Sequence, residues 1–266
     1  MIVRKPQSGQ YAGSLLLIRQ TDHAALSRDL AAAWGGEPFA GIALPEFTMP
    51  AILHHDDGWD AWEKAPKIDA ESGRPQSFLN TSAEDSHRVW MGGVRRCAEF
   101  GPLAQYLVAK HFLILREHSS SADTSVGSEF LDQLDADCDV WLAQWWESAA
   151  AQGVSEGDVE LALRQLRFFD WFSLWLCLAD RDEEYQFPET PDHHELTLLP
   201  REHKAPASDA VQTIGARPWP WRQDTIDLSI AARVVPDRAY QDGDDLMREY
   251  GQQTTLRWRL TPDPSP

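Results

Sequence analysis

Ionisable side chains interrupt the apolar faces of three predicted helices, and this feature constrains the fold more than any other. His23, His111 and Asp170 each lie on such a face, while the pair His55-Asp56 follows the apolar turn of a further helix. Burying an unpaired carboxylate costs on the order of several kcal/mol, so each group needs a partner inside the protein. We therefore expect these segments to pack around a common polar centre.

The His55-Asp56 pair is the strongest single signal within this set. Neighbouring residues on a helix point roughly 100° apart, so an imidazole and a carboxylate can approach one ion from adjacent directions. Taken alone, each group is more simply explained as a packed, hydrogen-bonded residue. Taken together, His23, His55, Asp56 and Asp170 favour a metal site. Mixed imidazole and carboxylate ligands suit Mn, Fe, Co, Ni or Zn better than Ca or Mg.

Hydrophobic periodicity predicts a fold that is mainly α. Residues 20–181 have the 3.6-residue period of successive helices and form the predicted metal-binding core. A two-residue alternation appears later, at 226–234 and 256–260. We therefore expect residues 183–266, joined by strands from residues 1–19, to form a small antiparallel sheet without metal ligands. The expected class is α+β overall, a helical core with a β-rich appendage in one compact unit.

Charge and composition exclude several classes of partner. The 266 residues carry a formal net charge of −18, which argues against binding to nucleic acid or to an anionic membrane. Residues 1–10 lack the apolar segment of a signal peptide, and the run 15–18 is too short to span a bilayer. The three cysteines show no metal-type spacing. We expect a cytoplasmic protein that binds a small-molecule substrate. The oligomeric state does not follow from the sequence.

The order of these groups along the chain is also that of a known superfamily. Residues 20–181 resemble the HD-domain superfamily of metal-dependent phosphohydrolases. The matching elements are His23, the run His55-Asp56-Asp57-Gly58, and Asp170 within the segment 166–174. The whole chain is similar, more closely, to an uncharacterised bacterial family of unknown function. The elements that carry this similarity are Gln20-Thr21-Asp22-His23-Ala24, His55-Asp56-Asp57-Gly58-Trp59, Lys110-His111-Phe112 and Pro218-Trp219-Pro220-Trp221.

The resemblance implies a set of roles for these residues. His23, His55, Asp56 and Asp170 would bind the metal, and His111 corresponds to a histidine that some relatives use for a second ion. Asp56 and Asp57 are the candidate catalytic residues, with Asp57 able to orient a ligand imidazole.

The sequence departs from the superfamily at the position after Gly58. Trp59 stands where many relatives carry a lysine, which removes one expected phosphate contact and weakens an assignment to cyclic dinucleotides. Trp59 itself is a weaker candidate for substrate contact. The replacement cations proposed for the substrate are Lys64, Lys67, Arg74 and Lys110.

Three functions follow from this pattern. The first is hydrolysis of a small phosphate ester or nucleotide, with a metal-activated water as the nucleophile. The second is oxidation at two iron ions, for which His111 would supply the extra ligand. The third is a non-catalytic protein that binds a metal or a small molecule.

Overall fold

The structure is a computed structural model that describes residues 1–7, 9–117, 128–178, 183–201 and 211–263. Its helices are α1 (Gln20–Ala33), α2 (Pro45–His54), α3 (Trp59–Glu63), α4 (Ala83–Cys97), α5 (Pro102–Glu117), α6 (Ser128–Trp146), α7 (Glu156–Leu178) and α8 (Gly243–Arg248). Its strands are β1 (Ile2–Arg4), β2 (Ser14–Ile18), β3 (Tyr185–Phe187), β4 (Leu196–Pro200), β5 (Gln212–Arg217), β6 (Ile226–Pro236) and β7 (Gln252–Pro262). Among the described helices, none has the length and apolar character needed to cross a membrane.

The strands form one curled, mixed sheet of seven strands in the order β1-β2-β6-β7-β5-β4-β3. All neighbouring pairs in the described sheet are antiparallel except β5 and β7, which run parallel. The expectation of a mainly α fold with a small antiparallel sheet was therefore wrong. The protein is an α+β protein in which the sheet is a major layer.

The physical reason for this error lies in the short strands β3, β4 and β5. They have three to six residues each, too few for a two-residue alternation to stand out from the polar, proline-containing segment around them. Only the sheet supplies their hydrogen-bond partners. The parallel pairing of β5 with β7 is likewise a long-range contact that local periodicity does not encode.

The N-terminal strands β1 and β2 form one edge of this sheet. β2 pairs with β6 from the C-terminal segment, as the sequence predicted. Leu16 and Ile18 contribute to the main core, whereas Leu15 and Leu17 belong to a second cluster on the opposite face. Both faces of β2 are therefore covered. This explains why β2 is apolar at successive positions, whereas a strand with one exposed face alternates between apolar and polar residues.

Helices α1 and α7 connect the sheet to the rest of the helical layer. α1 contacts β6, α7 contacts β1, and the two helices pack against each other and against α2. An aromatic cluster around Trp34, Phe168 and Trp221 fills the junction. The backbone of Pro220 accepts hydrogen bonds from Gly35 and Gly36, which ties the end of α1 to the C-terminal segment. The predicted boundary of the two parts, at residues 181–183, adjoins residues 179–182, which lie outside the described residues.

Candidate metal centre

Four helices bring the predicted ligands together. His23 lies on α1, Asp170 on α7 and His111 on α5, while His55 and Asp56 directly follow α2. α2 packs against α1, α5 and α7, so the end of this helix is the natural meeting point. All five side chains are buried.

The distances between these groups are those of a compact polar cluster. The Nε2 atom of His23 lies 2.9 Å from Oδ1 of Asp170 and 3.6 Å from Oδ2 of Asp56. The Nε2 atom of His55 lies 3.3 Å from the same Asp170 oxygen and 3.5 Å from the same Asp56 oxygen. Ligand atoms of His23, His55 and Asp56 all lie within 4.8 Å of one another. Asp170, whose Oδ1 lies close to both imidazoles, completes the cluster.

The orientation of the His55 ring is set by the backbone. Its Nδ1 atom lies 2.8 Å from the carbonyl oxygen of Ile52. Because a carbonyl can only accept, Nδ1 carries the hydrogen and neutral His55 presents the lone pair of Nε2 to the centre. Among the described residues this Nε2 has no hydrogen-bond partner. A lone pair facing two carboxylate oxygens needs a proton or a cation between them.

His23 is held from its other side by a pair of serines. Its Nδ1 lies 2.7 Å from Oγ of Ser173, which is in turn 2.9 Å from the carbonyl oxygen of Asp170. Ser27 lies 2.7 Å from the same hydroxyl. With a cation on Nε2, His23 can donate from Nδ1 to Ser173, and Ser173 can donate to the Asp170 carbonyl. This arrangement matches the outer hydrogen bonds that fix ligand histidines in metal sites.

The electrostatics of the cluster are those of a site that attracts positive charge. Burial alone would lower the pKa of His55, but the charges of Asp56 and Asp170 raise this pKa to about 9. Burial disfavours the charged form of Asp170, yet the imidazoles of His111, His23 and His55 hold its pKa well below the usual range. Asp170 therefore stays ionised and draws a proton or a metal ion to the space between its carboxylate and the imidazoles.

His111 extends the cluster towards a pocket. Its Nε2 lies 3.3 Å from the second oxygen of Asp170, and its ring contacts that of His55 at a centroid distance of 5.7 Å. Neither ring nitrogen of His111 makes a hydrogen bond to a described residue. Buried polar atoms without partners are rare in proteins. His55 and His111 thus leave ligand atoms that a cation would satisfy.

Glycines allow α4 to pack directly on the backbone that carries His55. A Cβ added at Gly93 would lie 1.9 Å from the carbonyl oxygen of His55, and one added at Gly58 would lie 1.8 Å from that of Val89. Both obstacles are backbone atoms and cannot swing away. The Gly92-Gly93 pair, which weakens the helix propensity of this segment, is therefore explained by the close approach at the centre.

A pocket of about 300 Å³ opens beside the centre, with His111 and Asp170 in its wall. Its apolar side is formed by Leu115, Phe168 and Trp171, together with Leu174. Glu189, Thr190 and Pro191 close it from the segment that follows β3. The C-terminal part of the chain thus lines the pocket, although the candidate metal ligands found in the described part of the chain lie before residue 171.

Two arginines of the pocket were missed at the sequence level. Arg164 and Arg167 precede Asp170 by six and three residues on α7, and both line the pocket. Residues three apart share a helix face, so the spacing Arg-x-x-Arg-x-x-Asp was the available signal. Arg164 donates from Nε to the carbonyl of Pro191 at 2.7 Å. Arg167 is half-buried and has no ion pair with the described residues.

The structure places the other predicted site residues elsewhere. Asp57 contacts His54 at 2.9 Å and Arg96 at 3.3 Å, on the side facing α4. Trp59 is buried and packs edge to face on Trp62. The four predicted substrate cations form ion pairs, which are Lys64–Asp60, Lys67–Asp85, Arg74–Asp237 and Lys110–Asp135. Within the described residues, the lining of the pocket includes none of the four, and their contact with a substrate stays a prediction.

The fold and the cluster together define a class, an α+β protein with a buried His/Asp centre enclosed by four helices. The chain belongs to the family described as "Protein of unknown function (DUF3891)", which matches residues 1–237. This match includes the whole centre, the pocket and strands β1 to β6. Searches of curated proteins and of solved structures gave no match.

Proposed function

We propose that this protein is a metal-dependent hydrolase that acts on a small phosphate ester. The observation that carries the proposal is the geometry around His55, whose Nε2 atom faces oxygens of Asp56 and Asp170 at 3.5 and 3.3 Å without a hydrogen-bond partner among the described residues. His23, His55, Asp56 and Asp170 would hold one divalent transition metal, namely Mn, Fe, Co, Ni or Zn.

A bound ion of this kind lowers the pKa of a water molecule and polarises a phosphoryl oxygen. The protein's own residues would do the rest. Arg164 and Arg167 bind the phosphate oxygens at the mouth of the pocket, because guanidinium groups pair well with phosphate. Ser173 holds the His23 ring in place. Asp56 is the candidate to accept a proton from the attacking water, and the catalytic role of Asp57 stays a prediction.

The charge distribution supports an anionic substrate at this position. The chain has a formal net charge of −18. A pocket that presents two guanidinium groups beside a cation site is therefore locally positive on a protein that is negative overall. A local positive field of this kind raises the concentration of anions at the pocket. We keep the prediction of a cytoplasmic location, which the three free, buried cysteines support.

The test compares two neighbouring histidines. His55 lies at the centre, whereas His54 pairs with Asp57 and stacks on Phe100. We expect purified wild type and His54→Ala to contain about one equivalent of metal and His55→Ala to contain none. Any phosphatase activity in a screen of phosphate esters and nucleotides should fall in His55→Ala by more than the roughly 10–100-fold that loss of an outer partner costs. Equal metal content in the two variants would refute the proposal.

Oxidation at two iron ions is the second candidate function. The observation in its favour is His111, which has both ring nitrogens unpartnered among the described residues and lies 3.3 Å from Asp170. Elemental analysis separates the two candidates. Two irons with visible absorbance favour oxidation, and one Mn, Co or Ni favours hydrolysis. A ligand that stabilises the protein without turnover would instead favour a non-catalytic binding protein.

A further inference from the structure

We propose that the pocket beside the centre selects phosphate monoesters whose leaving group is planar and apolar, with Trp171 contacting that group and Arg167 contacting the phosphate. This inference rests on the proposed function, because it names the substrate class of the same site. It follows from the two kinds of surface that the pocket presents side by side.

The apolar wall of the pocket is unusually exposed. Leu115 and Trp171 are each 42% exposed, although most large apolar side chains of the described residues are buried. Both line this one pocket, together with Phe168 and Leu174. Apolar side chains grouped along the wall of a concave pocket suit an apolar part of a ligand. The hydroxyl groups of a sugar phosphate would find few hydrogen-bond partners along this wall, whereas a flat apolar group would be desolvated on it.

Trp171 is held in a defined orientation. Its ring packs edge to face against Phe187 at a centroid distance of 5.9 Å and an interplanar angle of 77°. Phe187 lies on β3 and is itself buried. A rigid aromatic side chain contacts a ligand at little cost in conformational entropy. The indole therefore provides a preformed surface for a planar group.

The second surface is cationic and adjoins the centre. Arg167 has no ion pair with the described residues, and Arg164 is anchored through Nε to Pro191. The rim carboxylate Glu189 lies 3.0 Å from Nδ1 of His193. Since Arg164, Arg167 and Asp170 line the same pocket, a phosphate that contacts the guanidinium groups lies beside the candidate metal ligands. The leaving group then extends along the apolar wall.

The size of the pocket limits the ligand to one small ring system. Its volume of about 300 Å³ is at the low end for ligand pockets. Hydrolysis would form a new P–O bond from water and break the P–O bond to the leaving group. One proton of the water goes to the leaving oxygen, and the products are the free alcohol or phenol and inorganic phosphate.

The experiment compares 1-naphthyl phosphate with glycerol 3-phosphate on the purified, metal-loaded protein. We expect kcat/KM to be at least tenfold higher for the naphthyl ester, and Trp171→Ala to remove this preference. The matched control is Val140→Ala, which removes another exposed apolar side chain, on α6, and should leave the preference unchanged. Arg167→Gln should lower kcat/KM for both esters, because it acts on the phosphate that they share.

A second readout separates this inference from the proposed function. Binding of the non-hydrolysable 1-naphthylmethylphosphonate is measured by calorimetry, with circular dichroism to verify folding. We expect Trp171→Ala and Arg167→Gln each to weaken binding at least tenfold. Binding with this pattern but no turnover of either ester would keep the pocket assignment and refute hydrolysis. Turnover of both esters at equal kcat/KM, unaffected by Trp171→Ala, would overturn the inference and leave the hydrolase intact. Absence of binding would also overturn it.

Discussion

Two charged regions of this protein lie on either side of the segment 55–58, and they balance their charges in opposite ways. A groove of about 980 Å³ passes over α3 and α4 and is lined by several ionisable side chains. There each carboxylate has a cationic partner, in the pairs Asp57–Arg96, Asp60–Lys64 and Asp85–Lys67. At the buried centre, the ion-pair partners of Asp56 and Asp170 among the described residues are the imidazoles of His23, His55 and His111.

This difference shows where the protein lacks a charge of its own. In the groove, a neighbouring lysine or arginine balances each carboxylate, including the buried Asp85, so no further cation is needed. At the centre, the carboxyl groups of Asp56 and Asp170 are removed from water, and imidazoles can balance the charge of a carboxylate only by taking up protons. Burial turns an unbalanced charge into a demand for a cation. We therefore expect perturbations at the centre to respond to metal and those in the groove not to.

The largest expected effect comes from moving the backbone that supports the centre. Gly93→Ala places a methyl group 1.9 Å from the carbonyl oxygen of His55, and overpacking of this kind costs about 1–3 kcal/mol or more. We expect a lower free energy of unfolding in urea and reduced metal content. The control is Gly251→Ala, where an added Cβ meets no atom within 4 Å. Similar destabilisation in both variants would contradict the close approach.

Removing one carboxylate from each region tests the comparison directly. A metal that binds only the folded state stabilises it by roughly 2.7 kcal/mol at a hundredfold excess over Kd. Chelation should therefore lower the melting temperature of the wild type by several degrees. Asp170→Asn should respond little to chelator, because it binds metal weakly and lacks the repulsion of Asp170 with Asp56 in the metal-free protein. Asp85→Asn, in the groove, should respond like the wild type. Equal responses in all three proteins would make Asp170 a structural residue.

Metal affinity should increase with pH until about 9. The neighbouring carboxylates raise the pKa of His55 to about 9, so below this pH a metal ion must displace a proton from the ring. One displaced proton corresponds to a change in Kd of about tenfold, or 1.4 kcal/mol, for each pH unit. The slope should flatten above pH 9. Calorimetric titrations with Co²⁺ or Ni²⁺ across this range measure it. A Kd that is constant between pH 6 and 8 would exclude His55 as a ligand that must lose a proton.

The smallest expected effect comes from the groove. Arg96 contacts Asp57 and Glu99, and its side chain is 38% exposed, so water screens both ion pairs. We expect Arg96→Gln to change the melting temperature only slightly. The difference should vanish at about 1 M salt, where the Debye length falls to roughly 3 Å. Metal content should not change. A loss of metal from this variant would show that Asp57 acts on the centre through Arg96.

Much of the helical layer could be predicted from the sequence because its signals are local. The helical period was expected to start at residue 20, and α1 spans Gln20–Ala33. The sheet was not predictable to the same degree. β7 begins with polar residues that lie in the exposed part of the sheet, and β3 to β5 depend on partners distant in the chain. Hydrophobic periodicity describes the burial pattern within one segment, whereas the pairing of strands depends on two segments that can be far apart in the sequence.

The sequence by itself determined which groups must meet. An ionisable side chain on an apolar helix face loses hydration wherever the helix packs, and it needs a partner there. The positions of His23, His55, Asp56 and Asp170 along the chain therefore suffice to predict that they lie together. Only the tertiary structure decided what surrounds them. The choice of Arg164 and Arg167 over Lys64, Lys67, Arg74 and Lys110 as pocket cations depends on helix packing and on which charges find a partner. These are long-range relations, and no spacing along the chain expresses them.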